Sequence, residues 1–277
     1  MKKITCVVDN TVQRSSRVWG EHGLAVWIDT DQGSALFDNG RSGSILLHNL
    51  EVIGLYPYEA SAVILSHAHN DHSGGLTSLL SKKPGLPLYA NPDIFRSRFS
   101  LGEDQYQSIG LPVDRKVLSK LTDLRLNDVP VEVLPGLWTT GEIRDRPEPE
   151  GRSTHHFIRA DSEWEPDPYQ DDMSLVLEVR EGLVVVFGCC HAGMLNTLAH
   201  VKRIFQRPII AVLGGTHLVT ATESNLNHVV RVLRENYDLQ HLYLNHCTGE
   251  NAYVVMANSF GDRVKPCPVG TTLTIDS

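Results

Sequence analysis

Nowhere in its 277 residues does the chain hold an apolar run near the roughly 18 residues that a membrane-spanning helix requires. Its opening, "MKKITCVVDN", lacks the apolar core and the small-residue cleavage site of a secretory leader, so a cytoplasmic protein is expected. Cysteine is sparse and odd in number. The five residues Cys6, Cys189, Cys190, Cys247 and Cys267 show no paired framework, which argues against a disulfide scaffold and agrees with a reducing compartment. A surplus of positive charge is also missing. With 25 Lys and Arg against 33 Asp and Glu the net charge is -8, so neither nucleic acid nor a membrane surface is an expected partner. That balance leaves room for a local basic pocket that takes a small anion. There is no internal repeat and no low-complexity tract. What remains is a chain long enough to bury a sizeable core, as one large domain or two small ones.

The pattern of apolar residues outlines the organisation. Short strands come first, "ITCVVD", "LAVWID" and "SALFD", the last two joined by the turn signal "TDQG". Ile45, Leu46, Leu47, Leu50 and Ile53 share one helical face after Gly40. "AVILS" then reads as a buried strand and "GGLTSLLS" as a short helix. The second part is more regular. "MSLVLEV" and "GLVVVFG" are strands, and helices over about 193–206, 222–236 and 251–258 alternate with "PIIAVLGG", "HLYLNH" and the closing "TTLTI". Strands followed by α/β alternation in both halves predict an α/β fold of two mixed β-sheets with helices outside. Residues near 91–120 read as a helical insertion. The Pro-rich, acidic stretch near 141–172 reads as a long lid-like or solvated loop.

One stretch breaks the ordinary pattern. "AVILSHAHNDHSGGL", residues 62–76, places His67, His69, Asp71 and His72 within six positions directly after a buried strand. Alternate residues of an extended segment share a face, so His67 and His69 can grip one ion, with Asp71 and His72 following as the chain turns. Imidazole nitrogen and carboxylate oxygen suit zinc and other first-row divalent ions. Four ligands this close would crowd one centre but suit two adjacent ions. A site at strand ends must be completed from other strand ends of the same sheet edge. His191 after "VVVFGCC", His217 after "AVLGGT" and His246 after "LYLN" meet that test. His200 and His228 fall within helices and are expected to face solvent. His22, His48 and His241 have no such context, while His155 and His156 lie in the acidic loop, from which they could approach the site.

The segment "SHAHNDHSGGL" resembles the H-x-H-x-D-H signature of the metallo-β-lactamase superfamily. "LFDNG" resembles its second-strand aspartate motif. "EHGLAVWID", "GCCHAGMLN", "LGGTHL", "LYLNHCTG" and "GDRVKPCPVGTTLTI" resemble motifs of one branch, which includes a methanopterin-pathway dihydropterinyl-methyl-ribofuranosylaminobenzene-phosphate synthase. The resemblance implies a single metallo-β-lactamase-like domain over 1–277, folded as an αββα sandwich. It implies that His67 and His69, with His191, hold a first ion, and that Asp71, His72 and His246 hold a second. Zinc is the expected metal, with manganese or iron as alternatives, at one or two ions per chain. Many relatives carry a bridging aspartate after Gly at the fourth motif, where this chain has Gly188-Cys189. Cys189 is then either a thiolate ligand in its place or a small buried residue. Asp38 is implied as a carboxylate that orients a ligating imidazole, although a turn aspartate bonding its own backbone would look the same in sequence.

Such a site implies a metal-dependent hydrolase that uses metal-activated water on an ester, lactone or phosphodiester-type small molecule. Asp71 and His217 are the candidate catalytic residues, His217 as a general acid or as a further ligand of the second ion. Arg144 and Arg146 in the long loop are candidates to clamp an anionic, phosphorylated substrate. Two alternatives stand beside this reading. One is a transferase that joins a dihydropterin-methyl pyrophosphate to a ribofuranosyl-aminobenzene phosphate. The other is a catalytically silent metal-binding or sensing protein.

Overall fold

The computed structural model describes residues 1–161 and 163–275. Of the 1–277 unit expected from sequence, residues 162, 276 and 277 lie outside the described residues. The first half of the chain runs through β1 (Lys2–Val8), β2 (Ala25–Thr30), β3 (Gly33–Phe37), α1 (Gly43–Ile53), β4 (Ala60–Ile64), α2 (Asn70–Ser73), α3 (Leu76–Lys82) and β5 (Pro87–Ala90). It continues with β6 (Arg98–Gly102), β7 (Gln105–Ser108), α4 (Arg115–Leu121), β8 (Asp123–Leu126), β9 (Glu132–Leu134) and β10 (Leu137–Thr139). The second half holds β11 (His156–Ala160), β12 (Glu163–Pro166), β13 (Leu175–Val179), β14 (Gly182–Phe187), α5 (Met194–Phe205) and β15 (Ile209–Gly214). It ends with α6 (Glu223–Asn236), β16 (His241–Leu244), α7 (Glu250–Phe260), β17 (Val264–Pro266) and β18 (Thr272–Ile275).

Two seven-stranded mixed sheets form, in the orders β18-β1-β2-β3-β4-β5-β8 and β17-β16-β15-β14-β13-β10-β9. Each changes from antiparallel to parallel midway: β3 pairs parallel with β4 in the first, and β14 with β15 in the second. The central strands are buried on both faces, which is why they read as nearly continuous apolar runs. In β14, Val184 and Val186 point into the core between the sheets, while Leu183, Val185 and Phe187 meet the outer helices. Opposite them Ile28, Phe37 and Ile64 complete the inner layer. Leu46 and Leu50 of α1 and Leu79 of α3 cover the outer face of the first sheet, and Leu195, Leu198 and Leu233 of α5 and α6 cover that of the second. Fully burying each such side chain contributes about 1.5–3 kcal/mol. The expected αββα sandwich is the observed one. No helix among the described residues is long and apolar enough to cross a membrane.

Two expectations are corrected. Residues 91–120 are not a helical insertion: α4 is their one α-helix, and β6 and β7 form a hairpin. The reason is visible in "RFSLGEDQYQS", where Phe99, Leu101 and Tyr106 follow the two-residue period of a strand. Leu101 sits opposite Tyr106 across a turn in which Glu103 and Asp104 take positive φ. The stretch 141–172 is not a structureless lid either. β11 and β12 form a second hairpin, and β11 pairs with β6 to build a four-stranded third sheet, β12-β11-β6-β7. An aromatic cluster holds it: Tyr106 stacks on Trp164 at 3.6 Å between ring centres, with Phe99 edge-on to Trp164 at 5.0 Å.

Candidate metal centre

The carboxyl ends of β1, β3, β4, β14, β15 and β16 reach one edge of the sandwich and deliver Asp9, Asp38, His67, Cys189, His217 and His246 respectively. The chain must turn sharply there. Asp38, Cys190, His217 and His246 all adopt positive φ, a conformation that residues other than glycine rarely take and that gathers at functional sites. Gly188 has to be glycine, because a Cβ there would lie 2.2 Å from Ser66 Oγ and 3.3 Å from Asp38 Oδ2.

The first group comprises His67, His69 and His191. Their ring centres form a near-regular triangle of 4.5, 5.0 and 5.0 Å. All three Nε2 atoms are buried without a hydrogen-bond partner, which is costly unless something outside the chain binds them. The tautomers suit a cation. His191 Nδ1 donates to Gly151 O at 2.8 Å, which leaves the Nε2 lone pair free. Ser66 Oγ donates to Asp38 Oδ2 at 2.7 Å and can therefore accept from His67 Nδ1, 2.8 Å away. Burial holds all three imidazoles well below their ordinary pKa, so they stay neutral and free to ligate.

The second group is His72, His246, Asp71 and Cys189. His72 Nε2 lies 3.1 Å from both Cys189 Sγ and His246 Nε2, and Cys189 Sγ lies 3.3 Å from His246 Nε2. Asp71 Oδ2 is 3.5 Å from each of the two histidine nitrogens. Ligands about 2.0–2.3 Å from one tetrahedral ion stand roughly 3.3–3.8 Å apart, so the 3.3 and 3.5 Å spacings fit a single centre and the two of 3.1 Å are slightly tighter than one. Asp38 Oδ2 accepts from His72 Nδ1 at 2.7 Å, and Asn10 Oδ1 accepts from His246 Nδ1 at 3.1 Å, which turns both Nε2 atoms inward. Burial alone would lower His72, but Asp71 and Asp38 outweigh it and raise the ring to about 9. Burial would likewise raise Asp71, and the imidazoles of His72, His246 and His69 hold it below the carboxylate range instead. The two groups therefore differ in kind: the first holds neutral imidazoles, the second an imidazolium–carboxylate pair whose proton a cation would displace.

Cys189 belongs to both groups: its sulfur also clusters with His67 and His191. Burial pushes its thiol well above the usual value, so a thiolate at this position is favourable only beside a cation. Cys190 points elsewhere, towards Thr197 Oγ1 on α5 at 3.5 Å. Cys189→Ser is therefore expected to weaken metal binding by about 10- to 100-fold while Cys190→Ser does not. A Co(II)-substituted sample should show a thiolate charge-transfer band that only the first substitution abolishes. A band that survives Cys189→Ser would remove Cys189 from the ligand set.

His217 stands beside His191, ring centres 4.3 Å apart, and burial pushes it down to about 4. Its Nδ1 has no partner, and it lines a cavity of about 380 Å³ together with Arg152, Ser153, Thr154 and Asn225. Arg144 and Arg146 do not reach this cavity, which corrects their expected role. Arg144 is exposed and pairs with Asp128 at 2.6 Å and Glu142 at 3.0 Å. Arg146 braces the loop through Glu150 at 3.0 Å and the carbonyls of Pro168 and Tyr169. In both cases the acidic loop neutralises its own arginines. His200, expected to face solvent, is buried and its Nε2 meets Thr140 O at 3.0 Å.

Several neighbours were not read from the sequence. Tyr169 stacks on His191 at 4.0 Å, and its hydroxyl meets His156 Nδ1 at 2.9 Å. Tyr169 comes from a stretch without periodicity, whereas His156 is one of the two loop histidines expected to be able to approach the site, and its ring centre stands 4.9 Å from that of His69. Asp171 Oδ2 accepts the Ala68 N–H, and Asp172 Oδ2 accepts that of Ala192, so these carboxylates pin the residues flanking the ligands. Asp9, whose Oδ1 accepts His246 N at 2.8 Å, did leave a signal, because it ends a strand just as Asp38 does.

Comparison with known proteins bears on this arrangement. The metallo-beta-lactamase superfamily description matches residues 18–189. The chain is 26% identical over 271 residues, 93% of this chain and 91% of the other, to the 7,8-dihydropterin-6-methyl-4-(beta-D-ribofuranosyl)-aminobenzene-5'-phosphate synthase of Methanocaldococcus jannaschii. Among solved structures, Tm1679, a metal-dependent hydrolase of the beta-lactamase superfamily, aligns over 100% of both chains with a TM-score of 0.86 at 24% identity. Zn(2+)-bound PqqB from Methylobacterium extorquens aligns over 99% of this chain and 100% of its own with a TM-score of 0.62 at 13% identity.

Proposed function

Since the chain belongs to the metallo-β-lactamase superfamily, we propose that it is a metal-dependent hydrolase of small ester, lactone or phosphodiester substrates, with His67, His69 and His191 holding one ion and Asp71, His72 and His246 a second. The observation that carries this reading is the convergence of inward-facing imidazole nitrogens and one carboxylate beside an open cavity. These residues would hold divalent ions, zinc first among them, which would supply a Lewis acid and activate water at neutral pH. The chain's own groups do the rest. Asp38 and Ser66 hold the imidazoles of His72 and His67 in their ligating tautomers. Tyr169 covers one face of His191 and limits water on that side. Arg152, the arginine that lines the cavity, holds Glu150 through Nε at 2.9 Å and presents its terminal nitrogens to an anionic group there. His217, neutral at pH 7 because of its depressed pKa, donates an N–H towards the leaving oxygen.

A second reading is favoured by the similarity that runs along nearly the whole of the methanogen synthase. In it the same pocket holds a phosphorylated ribofuranosyl-aminobenzene and the reaction joins it to a dihydropterin. Assaying protein loaded in parallel with zinc, manganese or iron separates the two. Turnover of nitrophenyl esters, lactones or a phosphodiester supports the hydrolase. Product formed only from the dihydropterin-methyl pyrophosphate and the aminobenzene riboside phosphate supports the synthase. Metal-loaded protein inert in both assays would leave neither standing.

His217→Ala is expected to retain its metal and lose about 10²–10⁴-fold in turnover. The loss should shrink for substrates with good leaving groups, whose departing oxygen carries less charge for that N–H to stabilise. Loss of metal together with activity would make His217 a ligand instead.

A further inference from the structure

His22 has no part in either ligand group, yet it stands on the solvent side of the second. Its Nε2 is 3.3 Å from Asp71 Oδ2, and its ring centre is 5.2 Å from that of His246. The ligand atoms of His22, Asp71 and His246 all fall within 4.8 Å of one another. The segment carrying it is built onto the site. Glu21 Oε1 accepts the N–H groups of Arg41 and Ser42 at 3.0 and 2.9 Å. Leu24 donates to Asp71 O at 3.2 Å. Gly23 lets the two backbones touch, because a Cβ there would sit 2.5 Å from Asp71 O. Gly23 N also donates to Asn10 Oδ1, the atom that orients His246.

We propose that His22 is an additional ligand of the second ion, approaching from the solvent side. The inference rests on the two-ion reading above. Zinc expands readily from four to five ligands. In a five-coordinate site with bonds of about 2.1 Å, neighbouring ligands lie roughly 3 Å apart and opposed ones roughly 4.2 Å. The 3.3 Å separation from Asp71 and the place of His22 within the 4.8 Å cluster suit such a position. The exposed ring, with 59% of its side chain accessible, can swing onto the ion once it arrives and away when it leaves. The N-terminal loop thereby becomes part of the metal site.

The test is the affinity of full-length protein for each equivalent of zinc, measured by chelator competition with the fold followed by circular dichroism. His22→Ala should weaken the second equivalent by about 10- to 100-fold and leave the first unchanged. His22→Cys should restore part of the loss and add a thiolate band in the Co(II) form, whereas His22→Gln should not restore it. Unchanged affinity for the second equivalent in His22→Ala, or full rescue by the hydrogen-bonding Gln, would overturn the assignment of His22 alone. A wild-type protein that binds a single equivalent would overturn the two-ion reading beneath it.

Discussion

The double variant His67→Ala/His69→Ala should lose most of its metal and nearly all of its turnover. Wild-type protein purified without chelator is expected to carry about one to two transition-metal equivalents. A Lewis acid of this kind is worth several kcal/mol in the transition state, so the rate should fall by about 10³-fold or more. Folding should survive, because both rings are unpaired at Nε2 and their removal deletes no hydrogen bond there. The variant relieves a buried, unsatisfied polar cluster but gives up the Ser66–His67 hydrogen bond and leaves a cavity, so its melting temperature without metal should fall by only a few degrees. Added zinc should raise the melting temperature of the wild type and scarcely move that of the variant. Metal content equal to wild type by elemental analysis would sink the ligand assignment.

Arg98→Met should produce the largest loss of stability of any single substitution considered for this chain. Arg98 is fully buried and faces three carboxylates: Asp93 at 2.9 Å, Asp167 at 3.0 Å and Asp171 at 2.6 Å. Arg96 also pairs with Asp93, at 2.7 Å, so removing Arg98 leaves the buried Asp167 and Asp171 uncompensated, at a cost of about 3–5 kcal/mol. In a protein of this size that corresponds to roughly a 10 °C fall in melting temperature. The deficit should depend on pH. Burial pushes Asp171 up to about 7 even with Arg98 opposing it, and the like charges of Asp167 and Asp93 add to the rise. A carboxyl raised in the folded state stabilises most below its unfolded value near 3.8, and that contribution is lost as pH rises through about 7. Without Arg98 the ionised form becomes costlier still. The gap between variant and wild type should therefore be narrow at pH 5 and wide at pH 8. An equal gap at both would mean that Arg98 acts through packing. Because Asp171 also holds the Ala68 N–H between His67 and His69, the variant should bind metal more weakly as well.

How far the sequence could be read depended on what kind of signal each part carries. The buried strands and the helices covering them follow from apolar period alone, as in "GLVVVFG" and the helix of Leu195 and Leu198. His67, His191 and His246 stood out because each follows such a strand, and His69 and His72 because of their close spacing behind His67. The hairpins β6–β7 and β11–β12 were not. Their period-two pattern is short, interrupted by Gly and acidic turn residues, and completed only by pairing with each other across more than fifty residues of chain. Arg98 and Asp171 were illegible for a related reason. Alone, each reads as a surface charge, and only the tertiary fold buries the two together. Arg144 and Arg146 failed in the opposite direction, since nothing in their immediate sequence says that the loop's own acids and carbonyls will occupy them.

The reciprocal pair between Gly151 and His191, with Gly151 N to His191 O at 3.0 Å and His191 Nδ1 to Gly151 O at 2.8 Å, links a wall of the cavity to the metal centre. Gly151 also lies flush against His217, where a Cβ would come within 2.7 Å of that ring's own Cβ. Drift in the 149–155 strip during divergence, or its randomisation in a library, would thus disturb the chemistry while trying to change the substrate. The opposite wall, formed by Thr220, Ala221 and Asn225 at the start of α6, carries no such tether to an imidazole. New specificities should arise there first, and libraries built on those three positions should yield more active variants than libraries built on the strip.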